Sequence, residues 1–111
     1  MPSYSKPEIV LVSYPFSDLT GAKVRPAVVV CETQDKYKDL VVCAISSVIP
    51  KSLSVNEILL PTDNSNNLRT NSIIKVARIF TAKQHDIIFR LGKLSQTDLD
   101  NFKKTFKNLV E

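Results

Sequence analysis

Short β-branched apolar runs, broken by turn residues, fill most of the chain and predict strands rather than helices. Positions 8–14 form a first strand, nearly continuous in apolar character, and 15–23 a loop marked by Pro15, Asp18 and Gly21. Positions 26–31 read as the second strand, with Pro26 at a first residue that need not donate to a ladder. A third strand covers 40–46 and a short fourth 56–60, joined by a connection over 47–55 that carries Pro50 and Lys51. The stretch 61–67 is the most polar and the best candidate for a mobile loop. Over 72–80 the pattern alternates. Ile74, Val76 and Phe80 share a face with Arg78, while Ile73, Ala77 and Ile79 share the other with Lys75, as in a long half-exposed strand. Positions 86–91 fit either a short extra strand or an irregular edge.

After that the period changes. Ser95 followed by Asp98 is a capping pattern, a hydroxyl at the N-cap with a carboxylate three residues on. Leu99, Phe102, Phe106, Leu109 and Val110 then recur at helical spacing, with Lys103, Lys104 and Lys107 between them. Five or six strands and one amphipathic C-terminal helix, without internal repeat or boundary, predict a mostly β chain. Positions 1–111 read as one domain, a small barrel closed by a helical lid.

Composition narrows the chemistry. With 111 residues and 43% hydrophobic residues the chain can furnish one modest core. No run approaches the ~18 apolar residues of a membrane span, and positions 1–7 lack an apolar signal-peptide core, so a soluble cytoplasmic protein is expected. Cys31 and Cys43 both lie in apolar runs and read as small buried hydrophobes in a reducing compartment. Two cysteines and a lone His85 do not make a zinc site, and no metal or other cofactor is expected. Fifteen Lys and Arg against eleven Asp and Glu give a formal charge of +4, a weak lean towards a polyanionic partner.

No Gly-rich loop opens a helix, which removes phosphate cradles of the P-loop or Rossmann kind. His85, beside Asp86 in an expected turn, reads as a solvated histidine rather than a triad member. Arg25 is more informative. It stands where a polar loop enters an apolar strand, its backbone restrained by Pro26, and a guanidinium held there can grip a phosphate bidentately. A merely solvated arginine fits the same pattern. Ser46 and Ser47 project from the end of an apolar strand, placed either to bond a phosphate or 2′-OH or simply to turn the chain. Arg78, on an otherwise apolar face, needs a partner or a path to solvent, and a rim arginine whose stem covers the core satisfies that too.

The order of these segments resembles the MazF/PemK-like toxins of bacterial toxin–antitoxin systems. The similarity begins at 8–12, continues through 15–23, and peaks at Arg25-Pro26-Ala27-Val28-Val29-Val30. Ala44-Ile45-Ser46-Ser47 is similar to the family's Ala-Ile-Thr-Ser strand end, and 72–95 to its last strands and helix entry. The resemblance implies an SH3-like barrel that forms a homodimer, cleaves single-stranded RNA and is inhibited by an acidic antitoxin protein. It places the catalytic arginine on Arg25 and the partner hydroxyl on Ser46. Ser17, Asp18, Thr20, Gly21 and Lys23 fall in the loop that closes over RNA, and Ser47 and Arg78 join them as substrate contacts. Val48 and Ile49 stand where relatives often carry polar residues, Lys75 or Val76 where several carry an acid, and the loop lacks a frequent Glu-Gln pair.

On the family's chemistry RNA supplies its own nucleophile, the 2′-OH beside the scissile phosphate, giving a 2′,3′-cyclic phosphate and a 5′-hydroxyl without a metal. The alternative is a non-catalytic SH3-like module or regulator that binds RNA or protein. Such modules display aromatic platforms, and this chain has no Trp and only Tyr4, Tyr14 and Tyr37 as tyrosines.

Overall fold

The computed structural model describes residues 4–15 and 22–111. Its strands are β1 (Glu8–Pro15), β2 (Ala22–Glu32), β3 (Leu40–Ser46), β4 (Glu57–Leu60), β5 (Ser72–Ala82) and β6 (Ile87–Lys93), followed by helix α1 (Gln96–Val110). They form an antiparallel sheet in the order β4-β5-β3-β2-β1-β6. Positions 86–91, open to two readings, resolve into a 3-10 turn at Gln84–Asp86 and then β6. β2 starts earlier than 26, because β1 recruits Lys23, Val24 and Arg25 opposite Tyr14, Ser13 and Val12. Pro26 is therefore interior to its strand, at a point where the ladder to β3 has already ended at Ala27 and Ala44. No β3 residue there requires its missing N–H.

Continuous apolar runs arise because both faces of the central strands are covered. One buried cluster takes Val10, Val12, Ala27, Val29, Leu40 and Val42, while the intervening residues Ile9, Val28, Cys43 and Ile45 join a second. Helix α1 covers the second cluster. Its Phe102 is buried there, with Leu99, Phe106 and Leu109 packed around it, and Ser95 Oγ caps the helix by accepting from Asp98 N at 3.2 Å. The two cysteines part company. Cys43 is buried, and desolvation pushes its thiol up to about 11. Cys31, expected inside, is exposed, because an irregularity between Val29 and Cys31 shifts the register of β2 against β3.

β5 breaks the expected alternation in the same way. Cys43 and Ala44 are neighbours on β3, yet their β5 partners are Ile79 and Lys75, so Val76, Ala77 and Arg78 bulge out of the ladder. Val76 turns into the core, its N–H donating to the Asn56 carbonyl at 2.9 Å and its carbonyl accepting from the Cys43 thiol at 3.5 Å. Ala77, Arg78 and Ile79 are exposed in succession. The bulge thus aims Arg78 outward from a strand that is otherwise core.

The mostly β class and C-terminal helix are as the sequence predicts, but the ladder does not close into a barrel: β4 and β6 are its two free edges. Residues 61–71 bridge them. This polar stretch, expected to be mobile, is tied down around Asn66, whose buried amide accepts from Asp63 N and Leu68 N and donates to the Pro61 carbonyl at 2.9 Å. Lys93 N donates to the Ser65 carbonyl and Asn67 Nδ2 to the Leu91 carbonyl, both at 2.9 Å, which fastens the loop to β6. A polar sequence here satisfies a buried turn rather than solvating a loose one.

Candidate functional site

The register of the central strands builds the site. Ala27 pairs with Ala44 at the last rung of the β2–β3 ladder, and Arg25 and Ser46 each lie two residues beyond that rung on their own strands, both lining the same groove. Ala44 in turn pairs with Lys75 and Ser46 with Ile73, which brings β5 alongside. The result is a groove of about 850 Å³ over the β2, β3 and β5 ends, with Arg25, Ser46, Ser47, Lys75 and Arg78 on its walls. Leu11, Pro26, Leu68 and Leu91 supply apolar floor, and the tied loop contributes Arg69 and Thr70.

Its electrostatics have one sign. Arg25, Arg69, Lys75 and Arg78 all line the groove, and its described lining holds no carboxylate, imidazole or thiol. None of the four has an ion-pair partner among the described residues. Four cations on a described lining that holds no carboxylate attract an anion with more than one charged group.

Ser46 turns the chain with its own side chain. Its Oγ accepts from Val48 N at 3.1 Å, which fixes the hydroxyl and leaves its proton to donate into the groove. Ser46 is half-buried and Ser47 exposed, so the former is held and the latter is not.

Of the residues expected from sequence, Arg25, Ser46, Ser47 and Arg78 are gathered into one groove. Lys23 lies on β2 opposite Tyr14, two positions before Arg25 and outside the lining. Ser17, Asp18, Thr20 and Gly21 fall outside the described residues. His85, in the 3-10 turn with Nε2 at 3.6 Å from Asp86 Oδ1, is not in the groove. Sequence reasoning missed Arg69 and Thr70, which reach the groove only because long-range bonds from β6 hold their loop over it.

A small antiparallel sheet with one covering helix and a groove lined by four cations defines the class of fold and site. The particular family is shown directly: the chain belongs to the PemK-like, MazF-like toxins of type II toxin-antitoxin systems, whose model matches residues 6–110. No curated protein matches the sequence. Among solved structures the chain is similar to Mycobacterium tuberculosis toxin MazF-mt6, with 17% identity and a TM-score of 0.69 over 93% of this chain and 95% of that one. An endoribonuclease in complex with its cognate antitoxin, from a mycobacterial species, gives 7% identity and a TM-score of 0.76, covering 97% and 95%. MazE-MazF from Deinococcus radiodurans gives 12% and 0.75, covering 96% and 95%. At these identities the structural likeness carries the fold alone.

Proposed function

We propose that the protein is the toxin of a toxin–antitoxin pair and an endoribonuclease that cuts single-stranded RNA through attack of the 2′-oxygen on the adjacent phosphorus. The observation that carries this reading is Arg25 and Ser46 together on one groove whose described walls hold cations and hydroxyls but no acid. In the reaction the 2′-oxygen bonds to phosphorus as the 2′-proton leaves. The bond from phosphorus to the 5′-oxygen breaks, and that oxygen takes a proton. A 2′,3′-cyclic phosphate and a 5′-hydroxyl result. Intramolecular placement of the nucleophile lowers the barrier by itself, so the protein's part is alignment and charge. Arg25 offers two parallel N–H donors to the non-bridging oxygens as negative charge builds, and the Ser46 hydroxyl donates a third hydrogen bond. Arg69, Lys75 and Arg78 hold the flanking phosphates. No step requires a metal.

The test is to incubate protein and labelled RNA in excess EDTA and identify the ends. Undiminished cutting with 5′-hydroxyl products is expected. Activity that disappears until magnesium is added, or 5′-phosphate ends, contradicts the mechanism.

Two partner readings follow from the same surface. Proteins of similar fold are described as an endoribonuclease in complex with its cognate antitoxin and as MazE-MazF. We infer that this chain also forms a homodimer, of twice 12.4 kDa, and that an acidic antitoxin segment occupies the groove in place of RNA. Half-exposed Ile88 and Phe89 on edge strand β6 supply apolar surface for pairing, and the groove cations supply attraction for the acidic segment. Such a protein acts where messenger RNA is translated, in the cytoplasm. Light scattering should return the dimer mass. The antitoxin's acidic segment should inhibit cleavage, and its association should slow steeply as salt rises. A strict monomer, or a segment that binds tightly yet leaves cleavage untouched, contradicts the shared groove.

A further inference from the structure

A second, smaller cavity of about 190 Å³ opens beside the groove, lined by Ser54, Asn56, Glu57, Lys75, Ala77 and Arg78. Lys75 and Arg78 line both spaces, so the two adjoin at these side chains. The β5 bulge builds the junction. Pairing with β4 stops at Lys75 opposite Glu57, the Val76 N–H turns to the Asn56 carbonyl, and Ala77 and Arg78 are left as an outward wall. The cavity is smaller than the ~300 Å³ at which ordinary ligand sites begin, a size suited to one planar ring system.

Its chemistry differs from that of the groove. Glu57 is the only carboxylate on either lining among the described residues. Its Oε1 accepts from Ser54 N at 2.9 Å, which fixes the carboxylate and leaves Oε2 with a vacant acceptor position. Ser54 Oγ accepts from Asn56 N at 3.3 Å, while the Asn56 side-chain amide has no partner among the described residues. A fixed acceptor next to a free amide, under an exposed guanidinium that can lie on a ring face, is the equipment for reading the edge of an unstacked base. A carboxylate there accepts from an exocyclic amino group and repels a carbonyl at the same place.

We propose that this cavity is a base-reading subsite: it takes one nucleobase flanking the phosphate held in the groove, favouring a base with an exocyclic amino group and rejecting uracil. The inference rests on the ribonuclease reading for its ligand, since it needs RNA threaded along Lys75 and Arg78. Glu57 and Asn56 are its specificity-determining residues, and Arg78 serves both spaces.

The experiment uses an RNA pool randomised over a short stretch, read in two ways. Cut ends are sequenced, and a second pool carrying 2′-O-methyl groups, which cannot be cleaved, is sequenced after retention by the protein. Wild type should disfavour uracil at one position by on the order of tenfold to a hundredfold. Glu57→Gln keeps an oxygen for the Ser54 N–H but presents an amide N–H in place of the second oxygen, so it should admit uracil at that position and leave preferences elsewhere unchanged. Asn56→Ala, which removes only an unbonded side chain, should weaken the same preference. Profiles of Glu57→Gln and wild type that superimpose in both reads overturn the subsite. No cut ends, with a retention profile that still shifts in Glu57→Gln, refutes the nuclease reading and leaves the subsite standing. No retained RNA overturns both.

Discussion

Arg25→Ala is expected to reduce RNA cleavage by at least about a hundredfold, the loss that follows removal of a donor placed where transition-state charge develops. That corresponds to roughly 3 kcal/mol of barrier. The groove has three other cations, but none of them can replace Arg25 in kind. Arg25 alone comes from β2, two residues past the rung that joins it to the strand carrying Ser46, whereas Arg69, Lys75 and Arg78 come from the loop and from β5. The variant should therefore still bind RNA while failing to cut it, a loss in kcat larger than any rise in KM. Because Arg25 is exposed, its circular dichroism and melting should match wild type. Arg25→Lys keeps the charge but loses the fork of donors, and should recover only part of the rate. Ser46→Ala should cost more than Ser47→Ala, since only Ser46 has its hydroxyl fixed by the Val48 N–H. Full activity in Arg25→Ala would remove the site from this groove.

Gly92→Ala is expected to have the largest effect on stability. A Cβ at Gly92 would stand 2.3 Å from the Ser65 carbonyl oxygen and 2.7 Å from that of Asn66, and both are backbone atoms. The loop must move, and with it go the bonds from Lys93 N to Ser65 and from Asn67 to Leu91. Overpacking costs about 1–3 kcal/mol, and each lost hydrogen bond adds roughly 1 kcal/mol. For a chain of this size that lowers Tm by ~10 °C or more. Since the same loop carries Arg69 and Thr70 to the groove, RNA affinity should fall along with stability. Unchanged melting would mean that the loop is not seated on β6 as described.

Much of the fold was legible in the residues. The third strand ends where its apolar run ends, at Leu40 and Ser46, and Ser95 caps the helix that the spacing of Leu99, Phe102 and Phe106 predicts. These features are local: a period, a cap, a run of β-branched residues. What sequence did not reveal depends on pairing across distance. Val24 and Arg25 look like loop until β1 is placed beside them. The bulge at Val76, Ala77 and Arg78 hides inside a sequence that alternates cleanly, because only the β3 partners show that three residues are extra. Cys31 is exposed for the same kind of reason. In the groove, Arg25 and Ser46 were legible through their strand ends and the family resemblance. Arg69 was not, because a polar run such as 63–67 reads as solvent-exposed until its bonds to β6 are known.

The central claim, that RNA's own 2′-oxygen is the nucleophile in this groove, is tested most directly by one substitution in the substrate. Take an RNA cut at a single position and replace only the ribose on the 5′ side of the scissile phosphate by deoxyribose. The chain should bind this oligonucleotide about as well as the parent and cleave it not at all, while the parent yields a 2′,3′-cyclic phosphate. Cleavage of the deoxy-substituted strand at the same bond and a comparable rate would mean that another nucleophile does the work.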